Sequence, residues 1–291
     1  MPLSDILKRY RIRKGAGFKL ADIDPGDTCG IDIEKAEAKT LLAEGVQRLA
    51  ALQDRLYADH TYSILLVLQG LDTSGKDGLI KHVMSGVNPQ GCEVHFFKAP
   101  SQIELDHDFL WRASLALPRR GHIGIFNRSY YEEVLVVRVH PELLARQSLP
   151  PKLITKNIWT ERFEDINAFE RHLVRNGIVP IKIYLHMSKK EQRKRLVARI
   201  DDPDKRWKFN AGDLEERKLW DPYIEAYDEL IRATATDEAP WYVVPADHKW
   251  FTRLVVAAAM AEHLEAINPQ YPTLDATALR DLDAARAALI K

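Results

Sequence analysis

Apolar residues along this chain fall into two rhythms. Five short, nearly uninterrupted runs stand apart, at residues 64–69, 93–97, 122–126, 179–185 and 241–244. Between them, apolar positions recur at steps of three and four. The run Ile64-Leu65-Leu66-Val67-Leu68 predicts a strand buried on both faces, as in a parallel sheet covered by helices. Leu42, Val46, Leu49, Leu52 and Leu56 form one apolar stripe, and predict a packing helix over residues 33–59. Further helices are predicted from Ser101, which with Glu104 makes a capping box, to about Leu117, and from Asn157 to Asn176. Another opens at a second capping box, Ser188 with Glu191, and two more cover residues 213–234 and 250–267. Strands alternating with helices in this way predict an α/β chain with a three-layer α/β/α sheet of five parallel strands. That domain takes in residues 31–268, with an arm at 1–30 and a tail at 269–291 ending in a short Ala/Leu helix.

Composition narrows the partners. The 291 residues carry 42 Lys and Arg against 42 Asp and Glu, so a polyanion has to be met by local clusters and not by a global field. Two clusters stand out. Lys8, Arg9, Arg11, Arg13, Lys14 and Lys19 lie between Asp5 and Asp22 with no acid among them; such a run reads first as a solvated or disordered tail, and second as a polyanion contact. Residues 188–208 hold nine Lys/Arg and four acids, with Arg195 and Arg199 on one helical face. Cys29 and Cys92, far apart and without a C-x-x-C pair, point to a reducing compartment and no zinc site. Without an apolar signal core or a run of membrane-spanning length, the expectation is a soluble, cytoplasmic protein that binds no membrane.

The chemistry is concentrated after the first strand. Gly70-x4-Gly75-Lys76 fits a phosphate-binding loop (P-loop, Walker A), with Leu79, Ile80 and Val83 on the buried side of the following helix. Glycines let backbone N–H groups turn inward, the helix N-terminus adds positive dipole, and the lysine adds a point charge. Asp77 stands where a Ser or Thr would hold magnesium, and can itself serve a hard cation. The third strand ends in Asn127-Arg128-Ser129-Tyr130-Tyr131-Glu132-Glu133, polar residues at the strand end where open α/β sheets bind ligands. A magnesium-directing acid normally sits there, and here that charge falls to Glu132 or Glu133. The ten histidines are scattered without a clear partner, so none is expected to be a covalent nucleophile.

These residues carry a resemblance. Gly70-Leu-Asp-Thr-Ser-Gly-Lys-Asp77, Asn88-Pro-Gln-Gly91, Asp108-Phe-Leu-Trp-Arg112, Phe126-Asn-Arg-Ser-Tyr-Tyr-Glu132, Val136-Val-Arg-Val139, Arg206-Trp-Lys-Phe209 and Ala239-Pro-Trp-Tyr242 resemble, in order, the family-2 polyphosphate kinases over roughly residues 5–268. The resemblance implies a thymidylate-kinase-like fold with a helical lid at about 189–220. It also implies magnesium-dependent transfer, with manganese as a substitute, of the terminal phosphoryl group between inorganic polyphosphate and a nucleotide. Gly70, Ser74, Gly75, Gly78 and Lys76 would hold the phosphates being exchanged, with Asp72 and Asp77 placing the metal and Arg128 clamping nucleotide phosphate. Asn127 and Ser129 would join the phosphate and nucleotide contacts, and Asp108, Phe109, Trp111 and Arg112 would shape the nucleotide pocket, with Phe109 and Trp111 equally expected as core residues. Lys81, Arg138, Arg193, Arg199, Arg206 and Lys208 would line the polyphosphate path. Members limited to single-phosphate steps tend to have Asp and Asn where this chain has Asn127 and Glu132, so it resembles the subgroup phosphorylating both AMP and ADP. Adenine nucleotides are the expected acceptors, with guanine left open; the family also implies a homo-oligomer, dimer or tetramer, and no nucleic-acid partner.

A nucleotide phosphate oxygen is already anionic and needs no general base, so Asp72 and Glu132 read as metal or orientation ligands. The transfer would then be direct, with no covalent enzyme intermediate. Two other functions compete: an ATP-dependent nucleoside monophosphate kinase on the same scaffold, and a non-catalytic polyanion- or RNA-binding protein using the basic cluster.

Overall fold

The computed structural model describes residues 3–31 and 33–290; the remaining positions of the arm and tail, 1, 2 and 291, and residue 32 lie outside the described residues. The chain opens with helix α1 (Leu3–Tyr10) and the two-residue strand β1 (Arg11–Ile12), followed by the long helix α2 (Lys35–Asp59). Then β2 (Ser63–Gln69), helix α3 (Lys76–Val83), β3 (Cys92–Phe96), β4 (Ile123–Asn127), β5 (Ile178–His186) and β6 (Trp241–Pro245) complete a sheet ordered β1-β6-β5-β2-β4-β3. The five strands expected from sequence pair in parallel, and β1 adds an antiparallel sixth, Arg11 opposite Tyr242 and Ile12 opposite Trp241.

Pattern explains the centre. Every residue of β2 is buried; Ile64, Leu66 and Leu68 enter one core while Leu65 and Val67 enter the other. The first core receives α2, α3 and the closing helix α11 (Lys249–Ile267). The second receives α7 (Ile158–Arg175) and α10 (Trp220–Thr234). The connection leaving β2 runs across the sheet toward β3, whereas those leaving its neighbours β4 and β5 run the opposite way. The crevice outside the carboxyl end of β2 is therefore where a ligand fits.

Four expectations are corrected. The sheet has six strands among the described residues, not five. The basic arm is no loose tail: Ile6, Leu7 and Tyr10 are buried, and Arg11 is held by the Glu262 carboxylate and the Tyr242 hydroxyl. The helix expected over 101–117 is two short ones, α4 (Gln102–Leu105) and α5 (Trp111–Leu115); the Asp108 carboxylate accepts the Leu110 N–H and turns the chain between them. That expected over 213–234 divides into α9 (Gly212–Lys218) and α10, where Pro222 has no N–H to continue the ladder and sits instead in the first turn of α10. The capping box at Ser101 and Glu104 is present. At Ser188 the hydroxyl accepts the Glu191 N–H, but the Ser188 N–H donates to Asp247.

Segment 134–153 contains α6 (Val136–Val139) and 3-10 turns; α8 (Lys189–Asp201) follows β5, and α12 (Ala276–Ile290) ends the described chain without a buried residue. Among the described residues no helix is long and apolar enough to cross a membrane.

Candidate active site

The loop between β2 and α3 owes its shape to three positive-φ residues, Gly70 (φ 153°), Thr73 (64°) and Gly75 (108°). Gly70 also has no room for a side chain: a Cβ there would lie 2.7 Å from Ser74 Oγ and 3.1 Å from Leu185 Cβ. Gly70→Ala is therefore expected to destabilise the protein by about 1–3 kcal/mol, measured by urea unfolding. Among the described residues the N–H groups of Thr73, Gly75, Lys76, Asp77 and Gly78 have no backbone acceptor, which leaves a concave row of donors at the start of α3.

Lys76 is buried and its ammonium donates to the carbonyls of Gly70 (2.6 Å) and Leu71 (3.3 Å). Burial, helped by the charge of Arg128 and opposed by Asp72, Glu132 and Asp77, pushes its pKa down to about 8. The cation, present below that pH, is the form that attracts an anion. Affinity of the free protein for inorganic triphosphate is thus expected to fall as pH rises through about 8, with a shallower fall in Lys76→Arg; calorimetric titration across pH measures it.

Arg128 follows the last residue of β4. Its N–H bonds to the Leu68 carbonyl, and it adopts φ 63°, rare for a non-glycine residue and found where surrounding structure enforces it. The guanidinium reaches Asp72 Oδ1 at 2.8 Å and Glu132 Oε2 at 3.5 Å. Burial opposes its charge, yet these carboxylates outweigh burial and hold its pKa above the ordinary value. Burial raises the Glu132 pKa, against the pull of Arg128 and Lys76. Asn127 Nδ2 donates to Asp77 Oδ1 (2.8 Å), and Lys208 lies 4.0 Å from Asp77 Oδ2.

Two cavities meet at Arg128. The first, about 380 Å³, lies over the loop and is lined by eight Lys or Arg side chains against Asp72, Asp77 and Asp213. The second, about 450 Å³, lies beyond β4 and α5 and is more apolar. Phe97, Phe109 and Arg112 line it, together with a buried Arg162–Glu133 ion pair at 3.0 Å that Gln147 bridges. Arg128 is the residue common to both linings.

The structure gathers Asp72, Ser74, Gly75, Lys76, Asp77, Gly78, Arg128, Arg199 and Lys208 around the first cavity, with Asn127 on Asp77 and Glu132 on Arg128; Gly70 lies outside that lining, its carbonyl accepting from Lys76. Asp108, Arg112 and Ser129 line the second cavity, although the Ser129 hydroxyl is engaged by the Tyr131 and Gln69 N–H groups. Phe109 lines it also, whereas Trp111 stacks on His107. Four of the proposed polyphosphate contacts lie outside both linings. Lys81 is exposed on α3, Arg138 pairs with Glu229, Arg193 is exposed on the side of α8 opposite Arg195, and Arg206 donates to the Ile200 carbonyl.

Sequence reasoning placed Arg195 and Lys205 in the basic stretch without giving either a role at the site, and overlooked Lys249 and Arg253; all four line the loop cavity. The shared helical face of Arg195 and Arg199 was a signal for the first. Lys249 and Arg253, also four apart, open the helix after the last strand, and parallel strands deliver such helix starts to one edge of the sheet.

Among the described residues no group of three or more His, Cys, Asp or Glu is built to hold a metal ion. Gln69 Oε1, Ser74 Oγ and Asn127 Oδ1 are buried oxygens without a protein partner among the described residues, and the Asn127 amide also donates to Asp77. That donor set fits a hard cation that takes one or two carboxylates and completes its shell with substrate phosphates.

Comparison with known proteins gives concordant matches. A family model described as polyphosphate kinase 2 matches residues 32–272. The chain is 49% identical over 289 residues to the ADP-polyphosphate phosphotransferase of Rhodopseudomonas palustris, covering 98% of each chain. It is 45% identical over 266 residues to the AMP/ADP-polyphosphate phosphotransferase of Meiothermus ruber, covering 91% of this chain and 96% of that one. The crystal structure of polyphosphate kinase 2 from Arthrobacter aurescens TC1 superposes with a TM-score of 0.86 at 40% identity, over 98% of this chain and 97% of the other.

Proposed function

This chain belongs to the polyphosphate kinase 2 family, and on that premise we propose that it transfers the terminal phosphoryl group of inorganic polyphosphate to ADP, and also to AMP. One observation carries the assignment of the two cavities: Arg128 stands where a strongly basic groove over the loop opens into a larger, more apolar pocket. The groove suits linked phosphates, and the pocket suits a base and ribose.

The polymer's end lies against the loop N–H groups and Lys76, and the nucleotide's terminal phosphate approaches from the second cavity past Arg128. An oxygen of that phosphate attacks the end phosphorus. The bond from that phosphorus to its bridging oxygen breaks, and the bridging oxygen keeps the electron pair as the new end of the shortened polymer. No proton has to be removed from the attacking oxygen, so no general base is required. Lys76 and Arg128 stabilise the charge spread over the equatorial oxygens. Asp72 and Asp77 would hold magnesium, which supplies further neutralisation of phosphate charge. Action on AMP as well as ADP is supported by Asn127 and Glu132 at the β4 end and by the likeness to the Meiothermus ruber protein.

The test is a choice of donor. Purified protein with magnesium is given long-chain polyphosphate with AMP or ADP, and ATP with AMP in parallel, and the nucleotides are separated over time. Phosphorylation of both acceptors by polyphosphate is expected. Turnover with ATP alone would favour a nucleoside monophosphate kinase, and polymer binding without transfer would favour a binding protein.

A further inference from the structure

One face of α8 grips the back of the phosphate loop. Gln192 Nε2 donates to the Asp72 carbonyl at 3.3 Å, and Arg195 Nη1 donates to those of Thr73 at 3.2 Å and Ser74 at 2.9 Å. Residues three apart share a helical face, so two side chains hold three consecutive loop carbonyls. Arg195 Nη2 donates to the carbonyls of Ala246 (2.5 Å) and Asp247 (3.2 Å) at the end of β6, and Nε to Glu191 at 2.8 Å. A guanidinium has five N–H donors, and all five are engaged within the protein. Arg195 therefore lines the basic cavity without a donor left for a phosphate oxygen.

The consequence lies on the other side of each peptide. In a trans peptide the carbonyl of one residue and the N–H of the next point in opposite directions. Holding the carbonyls of 72, 73 and 74 toward α8 turns the N–H groups of 73, 74 and 75 away from it. Those of Thr73 and Gly75 have no backbone acceptor among the described residues. Thr73, at φ 64°, is the non-glycine residue whose unfavourable conformation this contact sustains. Gln192 is itself fixed by Arg217 of α9, whose Nη1 donates to Gln192 Oε1 at 2.5 Å.

We propose that Gln192 and Arg195 are positioning residues that aim the loop's N–H donors at the transferring phosphates through its carbonyls, without touching substrate. This rests on the phosphate-binding reading of the loop. The experiment compares Arg195→Lys, Gln192→Leu and Lys76→Ala for kcat, for KM toward polyphosphate and for melting temperature. Arg195→Lys keeps the charge and loses the fork, and is expected to lower kcat about tenfold or more. Gln192→Leu, which releases one carbonyl, is expected to lower kcat about threefold and serves should Arg195→Lys fail to fold. In both, KM is expected to stay within about twofold of the parent. A further variant, Arg195→Ala, is assayed with and without free guanidinium, which is expected to restore part of its kcat. A raised KM with kcat retained would overturn the inference by making Arg195 a polymer ligand. A lowered melting temperature with unchanged kinetics would overturn it by making the contact merely structural. With either result, an inactive Lys76→Ala rejects the clamp alone, whereas an active Lys76→Ala rejects the loop reading beneath it.

Discussion

Lys76→Ala is expected to lower phosphoryl transfer from polyphosphate by about 10³-fold or more, with little loss of folding stability. The two halves of this expectation share a cause. The ammonium sits inside the loop on two backbone carbonyls, in a position so desolvated that its pKa is pushed down to about 8. A charge held there against burial contributes little to the fold. It acts when phosphate oxygens arrive and gain a cation that is already oriented and desolvated. Steady-state kinetics with ADP and saturating polyphosphate give the loss, and thermal unfolding checks the fold.

Arg128→Ala is expected to cost about 10²–10³-fold in kcat, and Arg128→Lys to recover little of it. Its guanidinium spans Asp72 on the loop and Glu132 beyond the β4 end, so one planar group serves both cavities. A lysine can neutralise one carboxylate but cannot span both with a fixed fork. Because the backbone there has φ 63°, Arg128→Gly separates the loss of charge from backbone strain. An equal loss in the glycine and alanine variants would assign the effect to the side chain. Kinetics with each acceptor at saturation measure both.

The parts of this site readable from sequence were those in which one local cause dominates. The β2 run is buried along its whole length, and the glycines after it meet strict backbone demands, so strand, loop and helix start could be placed from the residues alone. Arg128 and Glu132 could be placed for a related reason, since they follow directly on a buried strand. The arm could not. Ile6, Leu7 and Tyr10 are three apolar residues among many charges, and their burial depends on α11, about 250 positions later in the chain. The basic stretch 188–208 advertised positive charge but not its direction: Arg193 and Arg195, two apart on a helix, face opposite ways, and the one facing the loop holds carbonyls. Arg206 was unreadable for the same reason, its Nε being taken up by the Ile200 carbonyl. Helix breaks at Asp108 and Pro222 had visible causes in side-chain competition and a missing N–H, which apolar periodicity outweighed.

The central claim is that a polymer lying on the loop gives up its end phosphate directly to a nucleotide held beside Arg128. Polyphosphate labelled in its terminal phosphate, incubated with the protein, magnesium and ADP, measures this in one step. The account predicts label in the γ-phosphate of ATP, none in the protein when ADP is withheld, and none in ATP when Lys76 is replaced by alanine. Label bound covalently to the protein, or unchanged labelling of ATP by the alanine variant, would contradict it.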